Sequence, residues 1–217
     1  MQILWIRHGK TLGNVQRRYV GRTDEGLTDE AKLCLQKKQV LMQDLCVQTE
    51  SDRNPGKWYH AGAFVPDFVY SSPMMRCRET AEILFPGQVL CVQEGLQETD
   101  FGDFEYKNYE ELKENPAYQA WIDSGGQMMV PNGESGAGFR HRCCRAYEQC
   151  VRDAQEEGAQ RIAIVCHGGT IMSVLERYGR PEKSFYEWQI ANGCGILTET
   201  IEEGGYHYGI REIGKWE

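Results

Sequence analysis

Short apolar runs alternate along the chain with amphipathic stretches. Residues 2–7 form a β-rich run that ends at an Arg-His-Gly tripeptide, and residues 67–71 and 89–92 form two further runs. Residues 161–166 are apolar on both faces, which is typical of a central strand covered by helices. These runs predict strands of one sheet.

Apolar residues spaced three and four apart predict helices between these strands. One helix is predicted to begin after Thr28 as its N-cap and to bury a stripe that includes Ala31 and Cys34. A second is predicted to open with Ser72 as N-cap and Pro73 as its first residue. Further helices are predicted within residues 108–122, 135–155 and 171–178.

Two segments depart from this alternation. Residues 48–66 carry turn residues without a clear period and predict a surface excursion. Residues 195–201 and 206–213 flank a Glu-Gly-Gly turn and predict a closing β-hairpin. Because strands alternate with helices, we expect an α/β fold, a three-layer α/β/α sandwich with a mostly parallel central sheet, in one domain over residues 1–217.

The composition excludes several classes of protein. With 41% apolar and 26% charged residues among 217, the chain has the composition of a folded globular protein rather than a disordered or collagen-like one. Its longest apolar runs are well short of the ~20 residues that a bilayer-spanning helix needs. A formal net charge of −8 disfavours nonspecific attraction to nucleic acid and anionic lipid, so we expect neither nucleic acid nor a membrane as a partner.

The first residues and the cysteines indicate a cell compartment. The first apolar run is too short for a secretory signal and lacks its basic leader, so the cytoplasm is the expected location. The nine cysteines are odd in number and contain no Cys-x-x-Cys pair, and we expect most of them to be reduced core residues.

Candidate catalytic side chains follow the predicted strands at their carboxyl ends. Arg7 and His8 end the first strand, Arg76 comes shortly after the second, and His167 directly follows the central strand. Since the carboxyl ends of parallel strands meet at one edge of a sheet, we expect these side chains to converge. Arginine forks bind phosphate oxygens and a histidine nitrogen can attack phosphorus, so the set predicts phosphoryl transfer with His8 as nucleophile. His167 and the Gly168 N–H would stabilise the transferred group.

The leaving alkoxide of such a reaction needs a proton. Glu98 follows a predicted strand and precedes an aromatic-glycine turn, which suits a proton donor in a partly desolvated mouth of the pocket. Asp100 is the nearby alternative.

Other polar and aromatic residues fit structural roles better. Ser135 is expected to cap a helix, because no base accompanies it as a nucleophile would require. Tyr118 and Trp121 are placed either to stack on an aromatic substrate or to pack in the core, and packing is favoured. Four arginines are expected to be solvated, namely Arg78, Arg140, Arg142 and Arg145.

The order of these motifs resembles the histidine phosphatase superfamily in its phosphoglycerate mutase-like branch. The likeness rests on Arg-His-Gly at 7–9, Ser-Ser-Pro-Met-Met-Arg at 71–76, Glu98 with Phe-Gly at 101–102, Gly-Glu-Ser at 133–135 and His-Gly-Gly at 167–169. Several spaced motifs in one order argue against a chance match.

The resemblance implies a role for each candidate. It implies His8 as the phosphorylated nucleophile, Glu98 as the proton donor, and a phosphate pocket made by Arg7, Arg76 and His167. It further implies that no metal or other cofactor is needed and that the partner is a small phosphorylated metabolite. Whether the chain forms a homodimer is left open.

Three further positions are implied to bind substrate. These are Asn14, as an additional phosphate contact, together with Gly21 and Gly168. The chain departs from the family pattern where Lys10 replaces a common Glu, Gly26 a common Pro and Tyr106 a common Gly. We expect these departures to change loop shape more than chemistry.

The segment after the acid loop bears on the reaction class. Mutases of this family carry longer segments there, whereas about thirty residues separate Phe104 from Gly133 in this chain, a short cover that favours hydrolysis by water. Residues 100–105, 109–112, 121–122 and 131–135 resemble those of α-ribazole-5′-phosphate phosphatases. A phosphoglycerate mutase, a broad-specificity sugar-phosphate phosphatase and a noncatalytic phospho-ligand binder remain alternatives, although a binder would be expected to lack His8 or Glu98.

Overall fold

One β-sheet runs through the part of the chain that the computed structural model describes, residues 1–48, 58–203 and 206–216. Its strands are β1 (Gln2–Arg7), β2 (Leu45–Gln48), β3 (Trp58–Gly62), β4 (Phe68–Ser71), β5 (Leu90–Val92), β6 (Arg161–Cys166), β7 (Gly179–Arg180), β8 (Gly195–Glu203) and β9 (Tyr206–Trp216). The helices are α1 (Leu12–Val15), α2 (Asp29–Leu41), α3 (Met75–Leu84), α4 (Tyr109–Leu112), α5 (Pro116–Asp123), α6 (Gly136–Glu156) and α7 (Gly168–Tyr178).

The strand order is β3-β2-β9-β8-β1-β6-β4-β5, with β7 paired to β9. Strands β1, β6, β4 and β5 are parallel, and β8, β9, β2 and β3 extend the sheet in antiparallel pairs. The predicted α/β fold is confirmed, and its parallel part contains the strands that carry the candidate catalytic residues. The predicted hairpin is the β8–β9 pair, whose turn residues 204 and 205 lie outside the described residues.

Apolar clusters on the two faces of the sheet make the layers of the sandwich. Successive side chains of a strand point to opposite faces, so Trp5 packs in the cluster with α6 and α7, and Leu4 packs in the cluster with α2 and α3. A third, smaller cluster of aromatic residues lies around α5 and includes Tyr118 and Phe104. This third cluster supports the loops above the carboxyl ends of the parallel strands.

Two details of the helices differ from the sequence-based expectation. In α2 the buried residues are Ala31 and Leu35, whereas Cys34 is exposed. The buried face thus continues from Ala31 to the residue four positions later rather than three. Helix α3 begins at Met75 with Met74 as N-cap, so the predicted cap at Ser72 is wrong. The predicted cap of α6 is confirmed, since the Ser135 hydroxyl accepts the Gly138 N–H.

The predicted excursion at 48–66 contains a strand that the composition did not indicate. Strand β3 pairs antiparallel with β2, and residues 49–57 between them lie outside the described residues. The nine cysteines are free thiols, of which Cys77, Cys143, Cys144, Cys150 and Cys166 are buried. Within the described ranges no helix is long and apolar enough to cross a bilayer.

Candidate active site

The parallel strands bring the two candidate histidines together. Strands β1 and β6 are paired in register so that Arg7 lies opposite Cys166 at their ends. The residue that follows each strand is a histidine. The rings of His8 and His167 meet edge to face with centroids 5.1 Å apart. The two imidazoles therefore lie next to each other where the parallel strands β1 and β6 end.

His8 is held in one tautomer. The residue is 4% exposed, and Nδ1 lies 2.7 Å from the Gly9 carbonyl oxygen. Because a carbonyl only accepts, Nδ1 donates its proton there and Nε2 keeps a lone pair. Burial, and then the charges of Arg76 and Arg7, lower the pKa of His8 well below its ordinary value. The ring is thus a neutral imidazole with a free nucleophilic nitrogen.

The backbone around His8 is fixed by the segment before β8. The Gly193 N–H donates to the Arg7 and His8 carbonyl oxygens at 2.9 and 3.1 Å. The Asn192 amide nitrogen donates to the His8 carbonyl oxygen at 3.1 Å and to Asn14 Oδ1 at 3.2 Å. Asn14 therefore lies beside the nucleophile loop, and its role as a phosphate contact stays a prediction. Sequence reasoning missed Asn192, because a single asparagine outside any motif gives no sign of such a role.

Arg76 and His167 are fully buried side by side. Arg76 Nε donates to His167 Nδ1 at 3.4 Å, and His167 Nε2 lies 2.8 Å from the Ser72 hydroxyl. Since Nδ1 accepts, Nε2 carries the proton and donates to Ser72. Burial and the charge of Arg76 lower the pKa of His167 well below its ordinary value, so this imidazole is neutral too. The contact with Ser72 was not predicted, because Ser72 was assigned to a helix cap.

Arg76 also fixes the loop that carries Gly21. Its Nη1 donates to the Thr23 carbonyl oxygen and its Nη2 to the Gly21 carbonyl oxygen, both at 2.8 Å. The Gly21 N–H donates to Glu105 Oε1 at 2.9 Å, and a Cβ at this position would lie 1.9 Å from the Thr99 carbonyl oxygen. Only glycine fits there, so Gly21 acts by close packing of two loops.

Arg7 lies where α7 approaches β1. Its Nη1 donates to the Ile190 carbonyl oxygen at 2.8 Å, whereas its buried Nε has no hydrogen-bond partner among the described residues. A Cβ at Gly168 would lie 3.2 Å from that Nε, so glycine lets the first turn of α7 approach the guanidinium. A buried unpaired donor beside a helix N-terminus suits an anion.

Glu98 lies at the same helix N-terminus. Its Oε2 accepts the Gly169 N–H at 3.0 Å and its Oε1 accepts the Thr99 N–H at 3.0 Å. A Cβ at Gly169 would lie 2.3 Å from Oε1, so the glycine admits the carboxyl group. Asp100, the alternative donor, accepts the Gly102 N–H and lies 3.5 Å from Arg22, and it does not line the cavity that Glu98 shares with Arg7.

A cavity of about 430 Å³ extends from Arg7, Glu98 and Gly168. Its walls are mainly aromatic and apolar, and include Tyr19, Phe101, Trp121, Phe139, Phe185 and Tyr186. Of the two aromatic residues left open by the sequence, Tyr118 is a core residue with 1% exposure and Trp121 is half-buried in the cavity wall. The cavity can hold a large apolar or aromatic group beside Arg7 and Glu98, whereas the buried His8 and His167 are not among its lining residues.

The departures from the family pattern have visible consequences. Tyr106 has φ of +58°, the left-handed region that favours glycine. Its hydroxyl donates to Glu25 Oε2 at 3.1 Å, and its carbonyl oxygen accepts from Arg18. Tyrosine is therefore held in a conformation that the family usually assigns to glycine. Lys10 is exposed next to the nucleophile loop.

Two of the four arginines predicted to be solvated, Arg140 and Arg142, are only partly exposed. Arg78 and Arg145 are exposed as expected, but Arg142 is half-buried and hydrogen bonded to the loop that precedes Glu98. It lies on α6 beside the buried stripe that begins at Phe139, and this edge position was the signal that the prediction overlooked. Arg140 lies in the cavity wall, with Nε 3.4 Å from Glu176.

Comparison with known proteins agrees with this geometry. The family model described as histidine phosphatase superfamily (branch 1) matches residues 56–208. The chain belongs to the histidine phosphatase superfamily. Membership confirms the resemblance drawn from the motifs, and with it the prediction that the chain is a phosphatase of this superfamily.

Individual relatives cover most of the chain. It is 26% identical to the adenosylcobalamin/alpha-ribazole phosphatase of Escherichia coli K12 over 199 residues, 89% of this chain and 87% of the relative. It is 24% identical to the 2,3-bisphosphoglycerate-dependent phosphoglycerate mutase of Parvibaculum lavamentivorans over 94% of this chain and 92% of the relative. The crystal structure of the alpha-ribazole phosphatase from Shigella flexneri shares the fold, with a TM-score of 0.79, 22% identity, and 100% and 96% coverage of the two chains.

Proposed function

We propose that this phosphatase hydrolyses a phosphomonoester through a phosphohistidine at His8. The observation that carries the proposal is the hydrogen bond from His8 Nδ1 to the Gly9 carbonyl oxygen. It leaves Nε2 unprotonated on a buried, neutral ring that lies 5.1 Å from His167. A nucleophile of this kind needs no activating base and no metal ion.

The reaction proceeds in two balanced steps. His8 Nε2 bonds to phosphorus as the P–O ester bond breaks, and the leaving oxygen takes a proton from the Glu98 carboxyl group. Water then attacks the phosphohistidine and gives its proton to the Glu98 carboxylate, and the P–N bond breaks to regenerate neutral His8. Arg7 and Arg76 supply positive charge beside the transferred group.

The aromatic cavity supports a substrate with a large aromatic leaving group. A volume of about 430 Å³ with Trp121 and Phe101 in its wall can hold a nucleoside with an aromatic base. The name of the Escherichia coli relative includes alpha-ribazole, whose 5′-phosphate has this shape of leaving group. We therefore propose α-ribazole 5′-phosphate, or a small phosphorylated metabolite of similar size, as the substrate.

A substrate panel tests this proposal. The enzyme is incubated, in the presence of a metal chelator, with one of three substrates: α-ribazole 5′-phosphate, 3-phosphoglycerate or 4-nitrophenyl phosphate. Phosphate release and isomerisation of the substrate are followed. We expect phosphate release in each reaction that proceeds, and the highest kcat/KM with α-ribazole 5′-phosphate. Isomerisation of 3-phosphoglycerate faster than any hydrolysis would instead support a mutase, a function that the Parvibaculum relative represents.

Trapping the intermediate tests the mechanism directly. Enzyme quenched in alkali during turnover of ³²P-labelled substrate is expected to carry acid-labile label on the peptide that contains His8. Rapid turnover without label at this position would exclude the proposed mechanism, and binding without turnover would indicate a noncatalytic phospho-ligand binder.

A further inference from the structure

The geometry points to Arg142 and Glu134 as positioning residues for the proton donor Glu98. This inference rests on the function proposed above, since it concerns the protonation of the leaving group. It assigns a task to a pair of charged side chains outside the predicted set of His8, Arg7, Arg76 and His167, although Glu134 also lines the cavity that extends from Arg7 and Glu98.

The Arg142 side chain binds the main chain of the loop that leads to Glu98. Nη1 donates to the Gly95 and Gln97 carbonyl oxygens, both at 3.0 Å, and Nη2 donates to the Glu98 carbonyl oxygen at 3.2 Å. The guanidinium thus contacts three carbonyls within four residues of chain. A cation that donates to a carbonyl makes a stronger hydrogen bond than a neutral donor does.

Glu134 holds Arg142 in turn. Arg142 Nε donates to Glu134 Oε1 at 3.0 Å, and Nη2 donates to Oε2 at 2.7 Å, a bidentate pair with side chains 30% and 20% exposed. With the three carbonyls, this pair uses all five N–H donors of the guanidinium. The Glu134 N–H also donates to the Asp100 carbonyl oxygen at 3.0 Å. Arg142 and Glu134 therefore contact the main chain both before and after Glu98.

Other contacts hold this loop as well, since Leu96 is fully buried in the core cluster with α6 and α7. The Thr170 hydroxyl lies 3.2 Å from both the Leu96 and Gln97 carbonyl oxygens, and the Glu98 carboxyl group accepts the Thr99 and Gly169 N–H groups. Without Arg142, the Gly95 and Glu98 carbonyl oxygens would lose their donor. A shift of the loop would move the Glu98 carboxyl group relative to the leaving oxygen, and proton transfer depends steeply on that distance.

A positioning role predicts a particular kinetic pattern. An aryl phosphate such as 4-nitrophenyl phosphate releases a stable anion and needs little protonation, whereas an alkyl phosphate such as ethyl phosphate needs the proton. Displacement of Glu98 should therefore slow the alkyl substrate more than the aryl one. General destabilisation of the fold would slow both equally.

The experiment measures kcat/KM for 4-nitrophenyl phosphate and ethyl phosphate in Arg142→Lys, Glu134→Gln, Glu98→Gln and a control. Arg145→Lys is the control, since it makes the same change at an exposed position of the same helix. We expect Glu98→Gln to slow ethyl phosphate about 100-fold and Arg142→Lys about 10-fold, with losses under about 3-fold for 4-nitrophenyl phosphate. Lysine keeps the charge but cannot supply five donors in a planar fork.

The variants separate failure of this inference from failure of the proposed function. Equal losses on both substrates in Glu98→Gln would remove Glu98 as the proton donor and this inference with it, whereas the phosphohistidine at His8 is tested separately by trapping. A selective loss in Glu98→Gln but not in Arg142→Lys or Glu134→Gln would overturn the positioning role alone. If Arg142→Lys does not fold, Glu134→Gln decides, because it preserves the shape of the side chain and is expected to show a smaller selective loss.

Discussion

His8 is fixed mainly by main-chain hydrogen bonds beside paired strands, whereas Glu98 lies on a loop that also depends on hydrogen bonds from side chains. On the nucleophile side, the donors and acceptors around His8 belong to β6, to the segment before β8 and to Gly9 itself. On the acid side, the side chains of Arg142 and Thr170 donate to carbonyl oxygens of the loop, and the Thr99 and Gly169 N–H groups donate to the Glu98 carboxyl group. The sheet edge therefore determines the position of the nucleophile, whereas side chains of α6 and α7 contribute to the position of the acid.

The difference has a chemical reason. The nucleophile must meet phosphorus in line in every substrate, so a rigid sheet edge suits it. The acid must meet a leaving group whose size differs between substrates, and it lies next to the cavity that would hold that group. The acid side is therefore where relatives with the same fold can differ in substrate.

The largest expected effect tests the nucleophile side alone. His8→Ala should lower kcat by at least about 10⁴-fold, because no other imidazole nitrogen occupies its place. His141→Ala, a change at an exposed histidine of α6, should leave kcat unchanged. Circular dichroism confirms the fold of each variant, and a His8→Ala enzyme that keeps even a tenth of the wild-type rate would contradict the nucleophilic role.

Two adjacent glycines separate the two sides more sharply. A Cβ at Gly169 would lie 2.3 Å from Glu98 Oε1, and a Cβ at Gly168 would lie 3.2 Å from Arg7 Nε. Gly169→Ala should therefore lower kcat/KM about 30-fold for ethyl phosphate and much less for 4-nitrophenyl phosphate. Gly168→Ala should lower kcat/KM for both substrates by about the same factor and weaken inhibition by inorganic phosphate. The same pattern in both variants would mean that the two sides are not independent.

The nucleophile side was also the more predictable one. Arg7, His8 and His167 follow apolar runs whose pattern predicts strands, and parallel strands bring their carboxyl ends together. Arg142 was taken for a solvated residue because its position at the edge of the buried stripe of α6 does not reveal its partners, which are three carbonyl oxygens and the Glu134 carboxylate. Ser72 was taken for a helix cap because a hydroxyl before a proline suits that role, and only the fold brings His167 within its reach.

The nucleophile side should also respond to pH in its stability. Burial and the charge of Arg76 lower the pKa of His8 and His167, so the unfolded chain takes up protons more readily than the folded one. The stabilisation is then complete above the ordinary histidine pKa of about 6.5 and is lost as the pH falls below it. The free energy of unfolding should fall by about 1.4 kcal/mol per pH unit for each of the two histidines.

Urea unfolding of the wild type, His8→Asn and His141→Asn between pH 5 and 8 measures this slope. His8→Asn should remove about half of the decline that the two buried histidines cause, and His141→Asn should remove none, because its ring is exposed in the fold. A free energy of unfolding with the same pH dependence in all three proteins would show that the imidazole of His8 is not buried in its neutral form.

The smallest expected effect concerns the cavity beside the acid. Trp121 is half-buried in its wall and meets the rings of Tyr19 and Phe101 at about right angles, with centroids 5.6 and 6.3 Å away. Trp121→Ala should lower kcat/KM about fivefold for 1-naphthyl phosphate, which can use the aromatic wall, and leave ethyl phosphate nearly unchanged. Tyr109→Ala, an exposed aromatic outside the cavity wall, is the matched control. An equal loss on both esters would mean that Trp121 supports the loops rather than contacts the leaving group, and the acid side would then select its substrates by other residues.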